Sequence, residues 1–330
     1  MGVDIKKVAI NAIHKIPMGN YSAAETSECL REALIDLNGG STKLNPKTFY
    51  RGSELFNLVQ ELIPHIADEG LRADNELMQI VDYRNIAKGD EAEFWVEGDN
   101  TLYVSTAASG IRGVRRQTIT EREPVTVPMS TKAVRIYESI NRIMSGAVDF
   151  NKFVDDVGNA FVKQRRLDAY KAISGISATT KGLNSTYVKT GTYAENDLLT
   201  IIDHIEADTN KTAKIIGTRS ALRKITTATV SDEAKSDLYH MGYYGNFNGT
   251  PMICMKQAHK TGTDDFILDN NKVYIIGADD KFCKSVVAGE GILGERPATD
   301  NNDLTQEYVY IEDSGTGIVC ANKIGVYTMS

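Results

Sequence analysis

The segment GEGILG at 289–294 has the glycine spacing of a dinucleotide-binding turn, in which the glycines open a helix whose N-terminus faces a pyrophosphate. Such a site requires a helix directly after the last glycine. Here Glu295 and Arg296 are followed by Pro297, and no segment of helical period comes next. We therefore predict a loop at 289–294 and no nucleotide cofactor.

The residues that commonly ligate metals or act as nucleophiles are scattered along the chain. The cysteines lie far apart and match no zinc-binding spacing, and the histidines include no His-Glu-x-x-His pair. These residues are Cys29, Cys254, Cys283, Cys320, His14, His65, His204, His240 and His259. The sequence therefore predicts reduced thiols, no metal, no cofactor and no enzyme activity. An α/β enzyme with a site spread over 190–290 remains an alternative, because folding can bring distant residues together.

A basic cluster and a single tryptophan are candidates for contacts with other chains. Arg112, Arg115 and Arg116 stand at or near a glycine-flanked loop end, and Trp95 lies upstream in an alternating segment. Guanidinium groups pair with carboxylates, and an exposed aromatic ring packs readily against a neighbour. We predict that these four residues make inter-subunit contacts. The alternative for the arginines is a solvated basic run, and the alternative for Trp95 is a platform for a ligand.

The composition is that of a folded chain with room for about two domains. It has 330 residues, of which 42% are hydrophobic and 25% charged, and a formal net charge of −7. This charge argues against a protein whose main task is to grip phosphates. No apolar stretch reaches the roughly 18 residues of a membrane span, and the N-terminus lacks a secretory pattern. We therefore expect a soluble, intracellular product without membrane association.

One helix is predicted to be unusually long. Apolar residues between 148 and 173 recur at helical spacing, and Asp149 is a suitable N-cap, so we predict an amphipathic helix over 149–173. Its apolar stripe contains no residues typical of a catalytic site, which favours a structural bar. Gly158 lies near its middle, where glycine costs about 1 kcal/mol relative to alanine and marks a bend or a close contact. We predict a bend.

The segments around this helix change period several times. Two amphipathic helical segments come first, and Pro64 is expected to interrupt the second. From about residue 90 the period becomes two, which predicts an extended hairpin that projects from the body. The segment STKAVRIYESINRIMSG then returns to helical spacing. A compact α/β block follows, opened by a capping box at Thr192 and Glu195, and the chain ends in strands. The first helix of that block is predicted to have the apolar face Leu198, Ile201, Ile202 and Ile205.

This order of parts, together with several stretches, resembles the major capsid proteins of tailed double-stranded DNA bacteriophages. The stretches are GGSTKLNPKTFYRGSELFNLVQELIP, GVRRQTITEREPVTVPMSTKAVRIYESINRIMSGAVDFNKFVDDV, IIGTRSALRKI, FNGTPMICM and VYIIGADDKF. The resemblance implies the α+β Hong Kong 97-like capsid fold, in which the long helix is the spine. It divides the chain into an N-terminal arm, an extended loop, a peripheral domain and an axial domain, and it implies that the arm and the loop reach adjacent subunits. Their implied ranges are 1–84, 85–126, 127–188 with 288–330, and 189–287.

The resemblance also implies a function. Subunits would form pentamers and hexamers that close an icosahedral shell around double-stranded DNA without reading its sequence. The shell would usually form as a smaller precursor that expands, and Gly158 is predicted to let the spine helix bend in the precursor and straighten in the mature shell. The virion would be assembled in the cytoplasm of a bacterial host, with scaffolding and portal proteins and, in some members, decoration proteins as partners. An encapsulin-type compartment has the same fold but encloses enzymes, and the sequence leaves that alternative open.

Covalent fastening of the shell is not expected. Some members of this family join the extended loop to a neighbour through a lysine-asparagine isopeptide bond. The segment from Glu91 to Thr131 contains no lysine, and Lys88 lies at the base of the predicted loop. The resemblance therefore leaves non-covalent contacts, such as those of the loop arginines with Asp155 and Asp156 of a neighbouring spine helix.

Overall fold

The computed structural model of the chain describes residues 32, 35–43, 50, 53–96, 104, 116–118, 123–139, 150–176, 183, 185–225, 239–278, 280–297, 300–301, 305–319 and 324–330. The helices within these ranges are α1 (Glu54–Arg72), α2 (Asn75–Met78), α3 (Phe150–Ser174), α4 (Glu195–Thr209) and α5 (Arg219–Arg223). The strands are β1 (Val81–Ile86), β2 (Glu93–Val96), β3 (Glu123–Thr126), β4 (Ser130–Ser139), β5 (Val188–Gly191), β6 (Ala213–Thr218), β7 (Asn246–Phe247), β8 (Thr250–Met255), β9 (Lys272–Gly277), β10 (Cys283–Arg296), β11 (Thr305–Ile318) and β12 (Ile324–Met329).

A four-stranded sheet and two helices form one half of the described structure. The strand order is β1-β10-β11-β4, with β1 parallel to β10 and the other pairs antiparallel. Helices α1 and α3 cover one face of this sheet. Leu293, Tyr308 and Tyr310 point to that face and share a buried cluster with Phe161 of α3. The period of two in β11 thus places one set of side chains against the helices.

A six-stranded mixed sheet forms the other half. Its order is β5-β12-β9-β6-β8-β7, and α4 buries Leu198, Ile201, Ile202 and Ile205 against it. The apolar face predicted for α4 is therefore confirmed. The last strand, β12, pairs with β5 and β9 in this sheet.

The two halves share one apolar core. Leu167, Tyr170 and Ile173 of α3 pack in the same buried cluster as Ile276 and Val326 of the six-stranded sheet. The predicted long helix is confirmed as Phe150–Ser174, with its apolar stripe buried wherever its side chains are described. The helix therefore packs against residues of both sheets.

The prediction of helical spacing after the hairpin is wrong over Ser130–Ser139, because these residues form strand β4. Val134 and Ile136 are partly buried on the face that meets the helices, whereas Ala133, Arg135 and Tyr137 are exposed. This alternation also fits a strand, and ten backbone pairings with β11 favour it over an isolated helix. Pairing with a distant partner overrides the local pattern.

Two predicted helix boundaries are also wrong. Pro64 lies inside α1 rather than interrupting it, because the apolar face continues through Ala67 and Leu71, which are both buried. Burial of that face offsets the backbone hydrogen bond lost at proline. At α4 the N-cap is Ala194, which makes no side-chain cap bond, so the capping box at Thr192 does not form.

The GEGILG segment is part of a strand, and the predicted loop is wrong. It lies within β10, where the pairing with β11 shifts register between Ala288 and Ile292. Gly289 has φ +65°, the left-handed conformation that such a bulge requires. A Cβ at Gly291 would collide with the ring of Tyr310. The glycines serve the bulge and the packing of Tyr310, and the strand geometry excludes a dinucleotide-binding turn.

Candidate functional site

The candidate functional surfaces are the spine helix α3 with its attached helix α1, and the β2–β3 hairpin. The sequence pattern predicted an apolar stripe on α3, and Arg165 was not predicted to be part of it. Its side chain is only 2% exposed, in the middle of that stripe. A lone arginine on an otherwise apolar face was the available signal, because a buried guanidinium requires carboxylate partners.

Arg165 has carboxylate partners on two other elements. Its Nη2 lies 2.5 Å from Oε2 of Glu312 on β11, and its Nε donates to Oε1 of the same carboxylate at 3.0 Å. Its Nη1 donates to Oδ1 of Asp68 on α1 at 2.6 Å. Tyr83 of β1 also donates to Asp68, and the guanidinium lies 5.7 Å from the ring centroid of Tyr83. One side chain of the spine therefore joins α1, β1 and β11.

Burial and pairing oppose each other at this centre. Burial acts to lower the pKa of Arg165, but Glu312, Tyr83 and Asp68 outweigh it and raise the pKa above its ordinary value. Burial also raises the pKa of Tyr83, with Asp68 acting in the same direction. The guanidinium is charged and the phenol is neutral at any physiological pH. Neither the guanidinium nor the phenol is therefore suited to transfer a proton at such a pH.

Gly158 lies in close contact with α1. A Cβ at Gly158 would lie 2.5 Å from Cγ2 of Ile66, far inside ordinary carbon contact. One turn further along both helices, a Cβ at Gly70 of α1 would lie 2.6 Å from Cγ2 of Val162 on α3. Each helix thus receives a branched side chain of the other at a glycine, and the helices run in the same direction. The bend at Gly158 stays a prediction. The contact with Ile66 is the other reason for which a glycine can occur in the middle of a helix.

The hairpin is fastened to the sheet at its base. Strands β2 and β3 pair antiparallel, which confirms the expected hairpin within the described residues. Phe94 is buried with Val286 and Val127, and the cations of Arg84 and Lys284 lie 4.5 and 5.3 Å from its ring centroid. The base of the hairpin therefore rests on the four-stranded sheet on the side away from the helices.

Asp82 holds the two cations that cover Phe94. Its Oδ2 lies 3.0 Å from both Arg84 Nη2 and Lys284 Nζ. Burial acts to raise the pKa of Asp82, but Lys284 and Arg84 outweigh it and lower the pKa below its ordinary value of 3.8. The Asp82 carboxylate is therefore ionised at any pH above 3.8 and can pair with Arg84 and Lys284 there.

The predicted contact residues lie partly outside the described residues. Trp95 lies next to Phe94 on β2 and is 59% exposed, and Arg116 is exposed. Arg112 and Arg115 fall outside the described residues. Among their suggested partners, Asp155 and Asp156 are exposed on the spine helix. Lys88 lies 3.8 Å from Asp313 at the base of the hairpin.

The described residues contain no cluster of His, Cys, Asp or Glu that could hold a metal ion. A cleft of about 870 Å³ lies between the spine, at Lys163 and Arg166, and the turn 258–264. Burial raises the pKa of the Cys283 thiol to about 12, which makes it a poor nucleophile. No helix in the described part of the chain is both long and apolar enough to cross a membrane.

Comparison with solved structures shows which fold the chain has. The capsid of a native GTA particle matches with a TM-score of 0.53 at 12% identity, covering 77% of this chain and 90% of that chain. A phage-related protein from Bordetella bronchiseptica matches with a TM-score of 0.51 at 12% identity, covering 80% and 96%. The bacteriophage PhiM1 mature capsid matches with a TM-score of 0.50 at 11% identity, covering 77% and 86%. The chain therefore has the Hong Kong 97-like capsid fold.

The sequence identifies the family. Residues 7–328 match the family described as "SPbeta prophage-derived putative capsid protein YonB", and the chain belongs to that family. The resemblance to phage major capsid proteins is thereby confirmed, and the chain is a structural protein of a phage capsid. A comparison with curated proteins gave no match.

Proposed function

We propose that copies of this chain assemble as pentamers and hexamers into an icosahedral shell that encloses phage double-stranded DNA. The observation that carries the proposal is the two-sided hairpin base. Phe94 fastens the hairpin to its own subunit, while Trp95, the next residue, is 59% exposed. An element anchored on one face and apolar on the other is suited to bind a neighbouring subunit.

The division into four parts follows from the same proposal. We assign the four-stranded sheet and the spine helix to the peripheral domain, and the six-stranded sheet with α4 to the axial domain. The pairing of β12 with β9 supports moving Ile324–Met329 into the axial domain. The extended loop begins and ends near the paired strands Glu93–Val96 and Glu123–Thr126.

Individual contacts between subunits are proposed to be weak. An exposed ion pair contributes only about 0.2 to 1 kcal/mol, and Arg116 is exposed. Each subunit of a closed shell contacts several neighbours at once, so the later contacts become effectively intramolecular. Weak contacts also allow misplaced subunits to dissociate before the shell closes. Trp95 and the three loop arginines are proposed to supply such contacts.

The remaining partners belong to the proposal as well. The chain acts as a structural subunit without enzymatic activity, and it encloses DNA without reading its sequence. A net charge of −7 supports enclosure rather than tight phosphate binding. Scaffolding and portal proteins are the proposed partners during assembly in the host cytoplasm, and decoration proteins are proposed partners of the finished shell.

The test is assembly of the purified protein. Sedimentation and negative-stain electron microscopy are expected to show capsomers or closed particles of megadalton mass. Particles from infected or induced cells are expected to protect double-stranded DNA from nuclease. Particles that contain a protein cargo and no DNA would favour an encapsulin-type compartment. A stable small oligomer under all conditions of salt and concentration would contradict both.

A further inference from the structure

The helix pair α1 and α3 carries contacts that go beyond ordinary apolar packing. Ile66 of α1 fits against Gly158 of α3, and Val162 of α3 fits against Gly70 of α1. These two contacts lie one turn apart and are reciprocal. A shift of either helix by one residue would replace each glycine with a larger side chain, so the contacts set the register of the pair.

A second, independent contact fixes the same pair electrostatically. Arg165 lies on the next turn of α3 and donates to Asp68 of α1, while Glu312 pairs with the same guanidinium from β11. Asp68 is 22% exposed, and Arg165 is 2% exposed. Removing α1 from the spine would leave the buried Arg165 without one of its two carboxylates and would open the apolar cluster around Val59 and Ile63.

We infer that α1 is a permanent part of its own subunit and that α1 and α3 form one two-helix bar, which stays together through assembly. The sequence grouped residues 54–72 with an arm that reaches neighbouring subunits. The structure instead gives this helix a specific partner in its own chain. The segments that can pass to neighbouring subunits are thereby limited to other parts of the arm and to the loop. The inference rests on the proposed function only where it concerns the assembled shell.

A disulfide tests whether the helices stay paired within one chain. In the variant Gly70→Cys/Val162→Cys, a Cβ at Gly70 lies 3.6 Å from Cβ of Val162, within the roughly 3.5–4.5 Å of disulfides. Oxidation is expected to give a bond within one chain, detected by peptide mass spectrometry, and the oxidised protein is expected to assemble as the wild type does. Each single cysteine variant and the wild type serve as controls. Chains linked in pairs or ladders, or particles that form only after reduction, would overturn the inference.

Hydrogen exchange tests the same inference without any substitution. Peptides from 54–72 are expected to be protected together with those from 150–174 in the unassembled protein, with little further change in the shell. Asp68→Asn is expected to speed exchange in 54–72 by roughly tenfold or more. If 54–72 exchanges freely before assembly and becomes protected only in the shell, α1 is an exchanging arm. Protection without any particle formation would support the bar and contradict the proposed function, so the two failures are distinguishable.

Discussion

Arg165 of the spine helix and Glu312 of β11 form a two-bonded ion pair in which the side chains are only 2% and 1% exposed. The pair lies between the helix layer and the four-stranded sheet. Desolvating two charges costs much of what their attraction returns, so such a pair adds little net stability but is costly to break. It therefore fixes the position of the spine on the sheet more than it stabilises the fold.

Breaking this pair on one side is expected to be strongly destabilising. Arg165→Met and Glu312→Leu should each lower the free energy of unfolding by about 3 to 5 kcal/mol, because the first leaves Glu312 as an unpaired buried charge and the second leaves the buried Arg165 with only Asp68. The double variant Arg165→Met/Glu312→Leu should be more stable than either single variant. Urea unfolding of the unassembled protein measures all three.

The exposed pair of Arg135 and Glu307 on the same sheet is the matched control. Its arginine side chain is 56% exposed, so Arg135→Ala should change stability by less than about 1 kcal/mol. Equal losses at Arg165 and Arg135 would show that burial does not matter at this centre.

Gly158 can be tested for a bend and for packing in one double-mutant cycle. Gly158→Ala places a methyl group against Ile66 and should cost about 1 to 3 kcal/mol, less about 1 kcal/mol gained in helix propensity. In an Ile66→Ala background, where the nearest remaining atom of residue 66 is its Cβ at 3.0 Å, the same change should cost clearly less. Thermal unfolding measures this cycle.

The two explanations of Gly158 diverge in assembly. If glycine is present only for packing, Gly158→Ala/Ile66→Ala should assemble and expand like Ile66→Ala alone. If the helix must bend at Gly158, Gly158→Ala and Gly158→Ala/Ile66→Ala should both assemble or expand abnormally, because neither contains the glycine. Electron microscopy of the particles before and after expansion distinguishes these outcomes.

Reversing all three loop arginines should block or weaken the shells. Arg112→Glu/Arg115→Glu/Arg116→Glu turns several weak attractions per subunit into repulsions, and the losses multiply around each capsomer. High salt should weaken wild-type shells in the same direction. The lysine triple variant keeps the charge and is the control for the two-pronged geometry of arginine. Equally stable particles from the glutamate variant, or a covalent ladder of wild-type subunits on a denaturing gel, would contradict this account.

Trp95 provides an optical test of the hairpin contact. It is the only tryptophan in the chain and is 59% exposed in the isolated subunit. Its fluorescence emission is expected to shift to shorter wavelength as shells form, because a neighbour removes the ring from water. Trp95→Ala should raise the protein concentration needed for assembly while leaving unfolding of the subunit nearly unchanged. An unshifted emission in intact shells would place Trp95 outside the interface.

The base of the hairpin should loosen in acid. The pKa of Asp82 is lowered in the folded state, so its contribution is fully present above its ordinary value of 3.8 and is lost as the pH falls through the lowered pKa. Fluorescence anisotropy of Trp95 in the unassembled protein is expected to drop in that range below pH 3.8. Asp82→Asn should already show low anisotropy at neutral pH and no further drop before global unfolding. An identical acid transition in both proteins would exclude Asp82 as its cause.

Local patterns in the sequence determined the elements whose burial is periodic. The spacing of Val157, Phe161 and Leu167 defined the spine helix, and that of Leu198 and Ile201 defined α4, because an amphipathic face repeats every 3.6 residues whatever its partner is. The order of elements, together with several stretches of sequence, carried the resemblance to a capsid fold. Trp95 and the loop arginines were also visible from residue type alone.

Tertiary structure alone decided which segments pair and what the exceptional residues contact. Asp68 lies 97 residues before Arg165, and Glu312 lies 147 residues after it. No local pattern links positions so far apart. The same holds for Ser130–Ser139, which is a strand because β11 pairs with it, and for Gly158, where Ile66 fills the space that a side chain would need. Local sequence fixes backbone preference and the buried face, but the partner of that face is set by long-range packing.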